Sequence, residues 1–177
     1  MYLLPPRATR LLTGACVAIL IAFVARGASP EQSSKRTEIT RASVLAAMND
    51  ARAKHHLPPY REDDRLDRAA RTRMDDMELD GYWGHYPPDG SNPFALLRLN
   101  GYDYRLAGEN LARGVESAEL LVEEWLGSPG HRENVLSPDY TDVGIAFIVG
   151  GTTGRVQGKS VIVIFAKEKG VVRRPKH

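Results

Sequence analysis

The sequence predicts an α+β domain in which the helices come first and the main strands come last. Helical patterns begin at Thr40, whereas two apolar, β-branched runs stand near the end of the chain, at residues 142–149 and 160–166. Strands that alternate with helices would indicate βαβ units and a parallel sheet. The separation of helices from strands therefore favours a layered α+β arrangement.

Two long helices are predicted in the first half of the domain. The first runs from Thr40 to about His56, because apolar residues recur at helical spacing and two prolines follow. Asp63 or Asp64 caps the second, which ends near Gly81, where glycine permits the left-handed backbone of a helix end. The apolar stripe of this second helix is narrow, and its outer face is strongly charged.

Shorter elements follow the two long helices. A loop rich in glycine and proline, at residues 84–90, precedes a short helix over residues 92–100. Residues 106–113 are ambiguous but compatible with a strand, and Ser117 caps a helix that ends at about Gly127. The two late apolar runs, joined by a turn rich in glycine and threonine, predict an antiparallel hairpin.

The N-terminal segment predicts export. An uncharged apolar run at residues 11–25 lies between arginines, which is the layout of a secretory signal. The run is short for a membrane-spanning helix, which needs ~20 apolar residues, although flanking arginines extend the reach of such a run. Residues 1–28 are therefore either a cleaved signal peptide or an uncleaved signal anchor that contacts the membrane. In both cases the domain is secreted or anchored to the outer face of the cytoplasmic membrane.

The remaining boundaries follow from composition. Residues 29–39 form a polar linker, residues 40–168 the folded domain and residues 169–177 a basic C-terminal tail. The single cysteine, Cys16, lies in the apolar run, so the domain contains neither a disulfide nor a thiolate metal site. The formal net charge is only +2, with Lys and Arg mixed among Asp and Glu, which does not favour nucleic acid as a partner.

Three segments carry a resemblance to a known family. They are residues 84–90 (GHYPPDG), 107–112 (AGENLA) and 125–136 (WLGSPGHRENVL). In this order and spacing they resemble the bacterial branch of the CAP superfamily (cysteine-rich secretory, antigen 5, pathogenesis-related), which has the SCP-like fold. The resemblance covers residues 40–167 and implies a three-layer α-β-α sandwich, in which a small central antiparallel sheet lies between helical layers beside a wide surface cleft.

The resemblance also implies the residues of the cleft. The family lines its cleft with two histidines and two acidic residues, and the matching positions here are His85, Glu109 and His131. Many relatives place the fourth, acidic residue where this chain has Ser128. Tyr86 replaces a small hydroxyl residue that is frequent in relatives, so we expect it to narrow the mouth of the cleft.

The same residues allow two chemical interpretations without the family. Two neutral imidazoles and a carboxylate suit Zn²⁺ or another divalent cation, with His85 and His131 as ligands and an open position for water. Equally, Glu109 can orient an imidazole and set its tautomer with no metal present. Ser128 precedes Pro and Gly at a helix start, so we interpret it as an N-cap and not as a nucleophile.

Two functions follow from these interpretations. The first is a binding module whose cleft holds a small apolar molecule, a peptide or a cell-envelope component, with or without a divalent ion. The alternative is a metal-assisted, peptidase-like hydrolase in which His85 and His131 hold the metal and Glu109 is the catalytic general base on a bound water. The sequence alone does not decide whether the protein is an enzyme.

Overall fold

The computed structural model describes residues 38–151 and 158–170. The predicted signal or anchor segment, residues 29–37 of the linker and residues 171–177 of the tail lie outside the described residues. Within the described ranges, no helix has both the length and the apolar character needed to cross a membrane. Ile39, at the end of the predicted linker, is buried in the core of the domain.

Helices and strands follow the predicted order. In the described ranges the elements are α1 (Arg41–Lys54), β1 (Arg61–Glu62), α2 (Asp64–Leu79), α3 (Ala95–Leu99), β2 (Tyr104–Arg113), α4 (Ala118–Gly127), α5 (Pro129–Val135), β3 (Asp142–Gly151) and β4 (Gly158–Glu168). The side chains of Thr40, Asp63 and Ser117 accept backbone hydrogen bonds at the starts of α1, α2 and α4. These three caps satisfy N–H groups that have no partner inside a helix.

The sheet has the strand order β1-β3-β4-β2. Strand β4 pairs antiparallel with both β3 and β2, which confirms the predicted hairpin and resolves residues 106–113 as strand. Strand β1 adds two residues parallel to β3, so the sheet is mixed and not wholly antiparallel as predicted. Two residues are too few to show an alternating pattern, so β1 could not be predicted from the sequence.

Both faces of the sheet are covered by helices. Residues of α1 and α4 pack on one face, and residues of α2 and α3 pack on the other. Because successive side chains of a strand point to opposite faces, the residues of β4 alternate between the two cores. They are Val161, Val163 and Phe165 in one core and Ile162, Ile164 and Ala166 in the other. This arrangement confirms the α-β-α sandwich.

Helix α2 approaches strand β3 without a side chain between them at Gly144. A Cβ atom at this position would overlap the carbonyl group of Leu66 on α2. Beside this contact, the Ile145 N–H donates to Oδ1 of Asp67 at 2.7 Å, and the Asp63 N–H donates to the Val143 carbonyl at 3.0 Å. The N-cap and first turn of α2 therefore lie along β3 and satisfy these two backbone groups.

We expect Gly144→Ala to lower the free energy of unfolding by at least about 3 kcal/mol, because the added methyl group forces two backbones apart. Urea denaturation of the full chain measures this change. Gly127→Ala is the matched control, since a Cβ atom there meets nothing within 4 Å. Equal effects of the two substitutions would contradict the close approach.

Candidate functional site

One cavity of about 430 Å³ brings together four of the five predicted site residues. It is lined by His85 and Tyr86 from the loop after α2, by Glu109 of β2 and by His131 of α5. Ser128 is not among the described residues that line it. Ser128 does stand at the N-cap position of α5, as predicted, but its side chain makes no capping hydrogen bond.

Glu109 is the buried centre of the site, with a side chain only 3% exposed. One carboxylate oxygen, Oε1, lies 3.0 Å from Nδ1 of His85. The other, Oε2, accepts a hydrogen bond of 3.2 Å from Nε of Arg73. Both oxygens of Glu109 therefore have a partner: His85 on the side of the cleft and Arg73 in the interior.

Arg73 connects Glu109 to the loop that carries His85. Its side chain is 1% exposed, and it donates from Nη2 to the Gly84 carbonyl at 2.7 Å. Its Nη1 atom donates to Asp76 at 3.3 Å and to the hydroxyl of Tyr82. Arg73 lies among the buried apolar residues of α2, and no role was predicted for it from the sequence. A charged residue in such a position is itself a signal, because a buried charge needs a partner.

The two imidazoles of the cavity are electrostatically different. The hydrogen bond to Glu109 raises the pKa of His85, whose side chain is about half exposed, above its ordinary value of 6.5. Burial, together with the charge of His85, lowers the pKa of His131 below 6.5. The ring of His131 also packs against Trp125, with ring centroids 6.4 Å apart.

Two asparagines fasten α5 to β2 and so place His131 near Glu109. Asn134 donates from Nδ2 to the Glu109 carbonyl at 3.3 Å and to Oδ1 of Asn110 at 2.9 Å. Asn110 in turn donates to the His131 carbonyl at 3.1 Å. Gly108 makes this contact possible, because a Cβ atom there would lie 2.7 Å from Oδ1 of Asn134.

The residues of the cleft do not fit a metal ion that uses Glu109 as a ligand. No group of three or more His, Cys, Asp or Glu side chains in residues 38–151 and 158–170 is arranged to hold a metal. At Glu109, the two carboxylate oxygens face His85 Nδ1 and the guanidinium of Arg73. The cleft therefore offers hydrogen-bonding imidazoles and not a three-ligand metal site.

The family assignment rests on a match that covers most of the domain. The model of CAP, the cysteine-rich secretory protein family, matches residues 45–165. This chain belongs to the CAP family. The match includes all three segments on which the resemblance was based, together with both cleft histidines.

Solved structures of other bacterial proteins share the fold. An outer surface protein from Borrelia burgdorferi is 24% identical, with a TM-score of 0.62 over 71% of this chain and 90% of that chain. An extracellular protein with an SCP domain from Bacillus anthracis is 26% identical, with a TM-score of 0.61 over 72% of this chain and 40% of that chain. These similarities confirm the α+β sandwich.

Two curated relatives come from Bacillus subtilis. The uncharacterised protein YkwD is 35% identical over 109 residues, which are 62% of this chain and 42% of YkwD. The uncharacterised membrane protein YlbC is 29% identical over 120 residues, which are 68% of this chain and 35% of YlbC. The similarity to this CAP chain thus spans less than half of either relative.

We expect the two cleft imidazoles to titrate in separate steps, His85 above pH 6.5 and His131 below it. Imidazole C–H signals in two-dimensional NMR spectra follow both steps, and His85→Gln and His131→Gln assign them. Because the pKa of His85 is raised in the folded state, its bond to Glu109 stabilises the fold fully below the unfolded pKa. This contribution is lost as the pH rises through the folded pKa.

Glu109→Gln tests why the pKa of His85 lies above that of His131. A neutral amide cannot stabilise an imidazolium as a carboxylate does, so the pKa of His85 should fall towards 6.5. If the pKa of His85 stayed raised in this variant, the Glu109 contact would not be its cause.

Proposed function

We propose that this CAP domain is an extracytoplasmic binding module whose cleft holds a peptide-like ligand. The observation that carries the proposal is the composition of the 430 Å³ cavity. Aromatic side chains stand beside hydrogen-bonding groups within one open concavity, and a peptide presents both apolar side chains and polar backbone groups. Ligand sites of proteins commonly combine apolar walls with a few well-placed polar groups.

The aromatic part of the cavity consists of Tyr86, Phe94 and Tyr140. Tyr86 is 74% exposed, which leaves most of a large amphipathic side chain open to a ligand. Such rings supply contact area with little loss of conformational entropy. They favour the binding of apolar side chains at the rim of the cleft.

The polar part argues against a wholly apolar ligand such as a sterol. His85 and Glu109 meet at the cavity wall, and an apolar ligand over them would remove water without replacing its hydrogen bonds. A peptide amide or carboxylate provides those hydrogen bonds. The chemistry of the wall therefore favours a ligand with polar groups at the centre and apolar groups at the rim.

The cleft also lies next to a second concavity. A second cavity of about 490 Å³, lined by residues of α5 and the loop after it, shares Asn134 and Tyr140 with the first. Two concavities on either side of these residues suit an extended ligand better than a compact one. A peptide segment of the cell envelope has this shape.

Export is supported by the N-terminal run and by the relatives. The Bacillus anthracis relative is described as extracellular, and YlbC is described as a membrane protein. For this chain, we propose a location outside the cytoplasmic membrane, either secreted or anchored by residues 1–28. A ligand from the cell envelope is available in that location.

The metal-assisted hydrolase gains no support from the geometry. A general base needs a carboxylate that the water it activates can reach. The side chain of Glu109 is only 3% exposed, and its oxygens already contact His85 and Arg73. The binding module does not require water to reach this carboxylate.

Affinity selection from a random octapeptide library on the immobilised full chain tests the proposal. We expect wild type to enrich a set of peptides that His85→Ala/His131→Ala no longer retains. His55→Gln/His56→Asn is the control, because it changes two exposed histidines at the end of α1, away from the cleft. Equal enrichment on wild type and the cleft variant would place peptide binding elsewhere. Retention of a fluorescent sterol but of no peptide would contradict the proposed ligand class.

A further inference from the structure

The carboxylate of Glu109 lies between an imidazole in the cleft and a guanidinium in the interior. We propose that Arg73 is a built-in counter-cation, which takes the position that a divalent metal ion would otherwise have beside this carboxylate. The CAP cleft of this chain therefore binds its ligand without a metal ion coordinated by Glu109.

Charge balance is the first argument. The side chains of Glu109 and Arg73 are 3% and 1% exposed, and their charged groups are joined by a hydrogen bond of 3.2 Å. A buried carboxylate is strongly unfavourable without a cation or several donors close by. Arg73 supplies both a full positive charge and an N–H group, so the site is complete without a further cation.

The donor atoms are the second argument. A Zn²⁺ site uses three protein ligands in addition to an open position. Glu109 Oε1 and His85 Nδ1 are bound to each other, and Glu109 Oε2 is bound to Arg73. The ring of His131 and the second nitrogen of His85 are then the imidazole donors left at this wall. Two nitrogens form a weaker site than three ligands.

The fixed position of Arg73 is the third argument. A divalent ion bound to Glu109 would lie within a few ångströms of a guanidinium that stays protonated in proteins, so the two cations would repel each other. Arg73 is also held by the Gly84 carbonyl at 2.7 Å and by Asp76 at 3.3 Å. These bonds prevent the guanidinium from moving away to admit a metal ion.

Calorimetric titration of Zn²⁺ into the full chain, prepared without a metal-binding tag, tests the inference. We expect any Zn²⁺ that wild type binds to be retained by Glu109→Gln, because Glu109 is not a ligand. Arg73→Met should bind Zn²⁺ about tenfold more tightly than wild type, because the repelling charge is gone and Glu109 becomes available. This gain should disappear in Arg73→Met/Glu109→Gln and be absent in Arg73→Lys, which keeps a positive charge.

Two outcomes would overturn the inference. One is stoichiometric Zn²⁺ binding by wild type that is lost in a folded Glu109→Gln protein. This comparison does not use Arg73→Met, so it decides the matter even when that variant does not fold. The other is a folded Arg73→Met protein with no gain in Zn²⁺ affinity. Since neither experiment uses a peptide, the inference and the proposed binding function fail independently.

Discussion

The contact of helix α2 with strand β3 at Gly144 positions the buried side chains that support the cleft. With no side chain between them, the backbone of Leu66 rests directly on the sheet. The hydrogen bond from the Ile145 N–H to Asp67 fixes the register of the helix along the strand. Arg73 is six residues beyond Asp67 on the same helix, so this register also determines where the guanidinium meets Glu109.

Two helices therefore support the cleft through contacts with strand β2. Helix α2 contributes Arg73, which contacts Glu109, whereas α5 contributes His131, held in place by Asn134 and Asn110. Strand β2 lies between them, with Glu109 engaged on both carboxylate oxygens. The half-exposed imidazole of His85 and the aromatic rim are accessible to a ligand. Glu109, which contacts His85, and Arg73 are buried away from water.

Local signals in the sequence predicted most of the fold and only part of the site. The caps at Thr40, Asp63 and Ser117 and the β-branched runs act within a few residues, so their effect is readable from the chain. The contact between Arg73 and Glu109 joins residues 36 positions apart and exists only once α2 is packed on the sheet. Asn134 is similar, because it lies on α5 and bonds the backbone of Glu109, 25 positions away on β2. The family resemblance located His85, Glu109 and His131, but it carried no information on Arg73.

The side chains that complete the edges of the sheet have a further consequence. Asp67 takes the outward N–H of Ile145 on β3, and Asn134 takes the outward carbonyl of Glu109 on β2. At these two positions a foreign strand would have to displace an internal hydrogen bond, so β-strand addition is disfavoured there. The same two contacts oppose, at these positions, the edge-to-edge association through which β-sheet proteins aggregate.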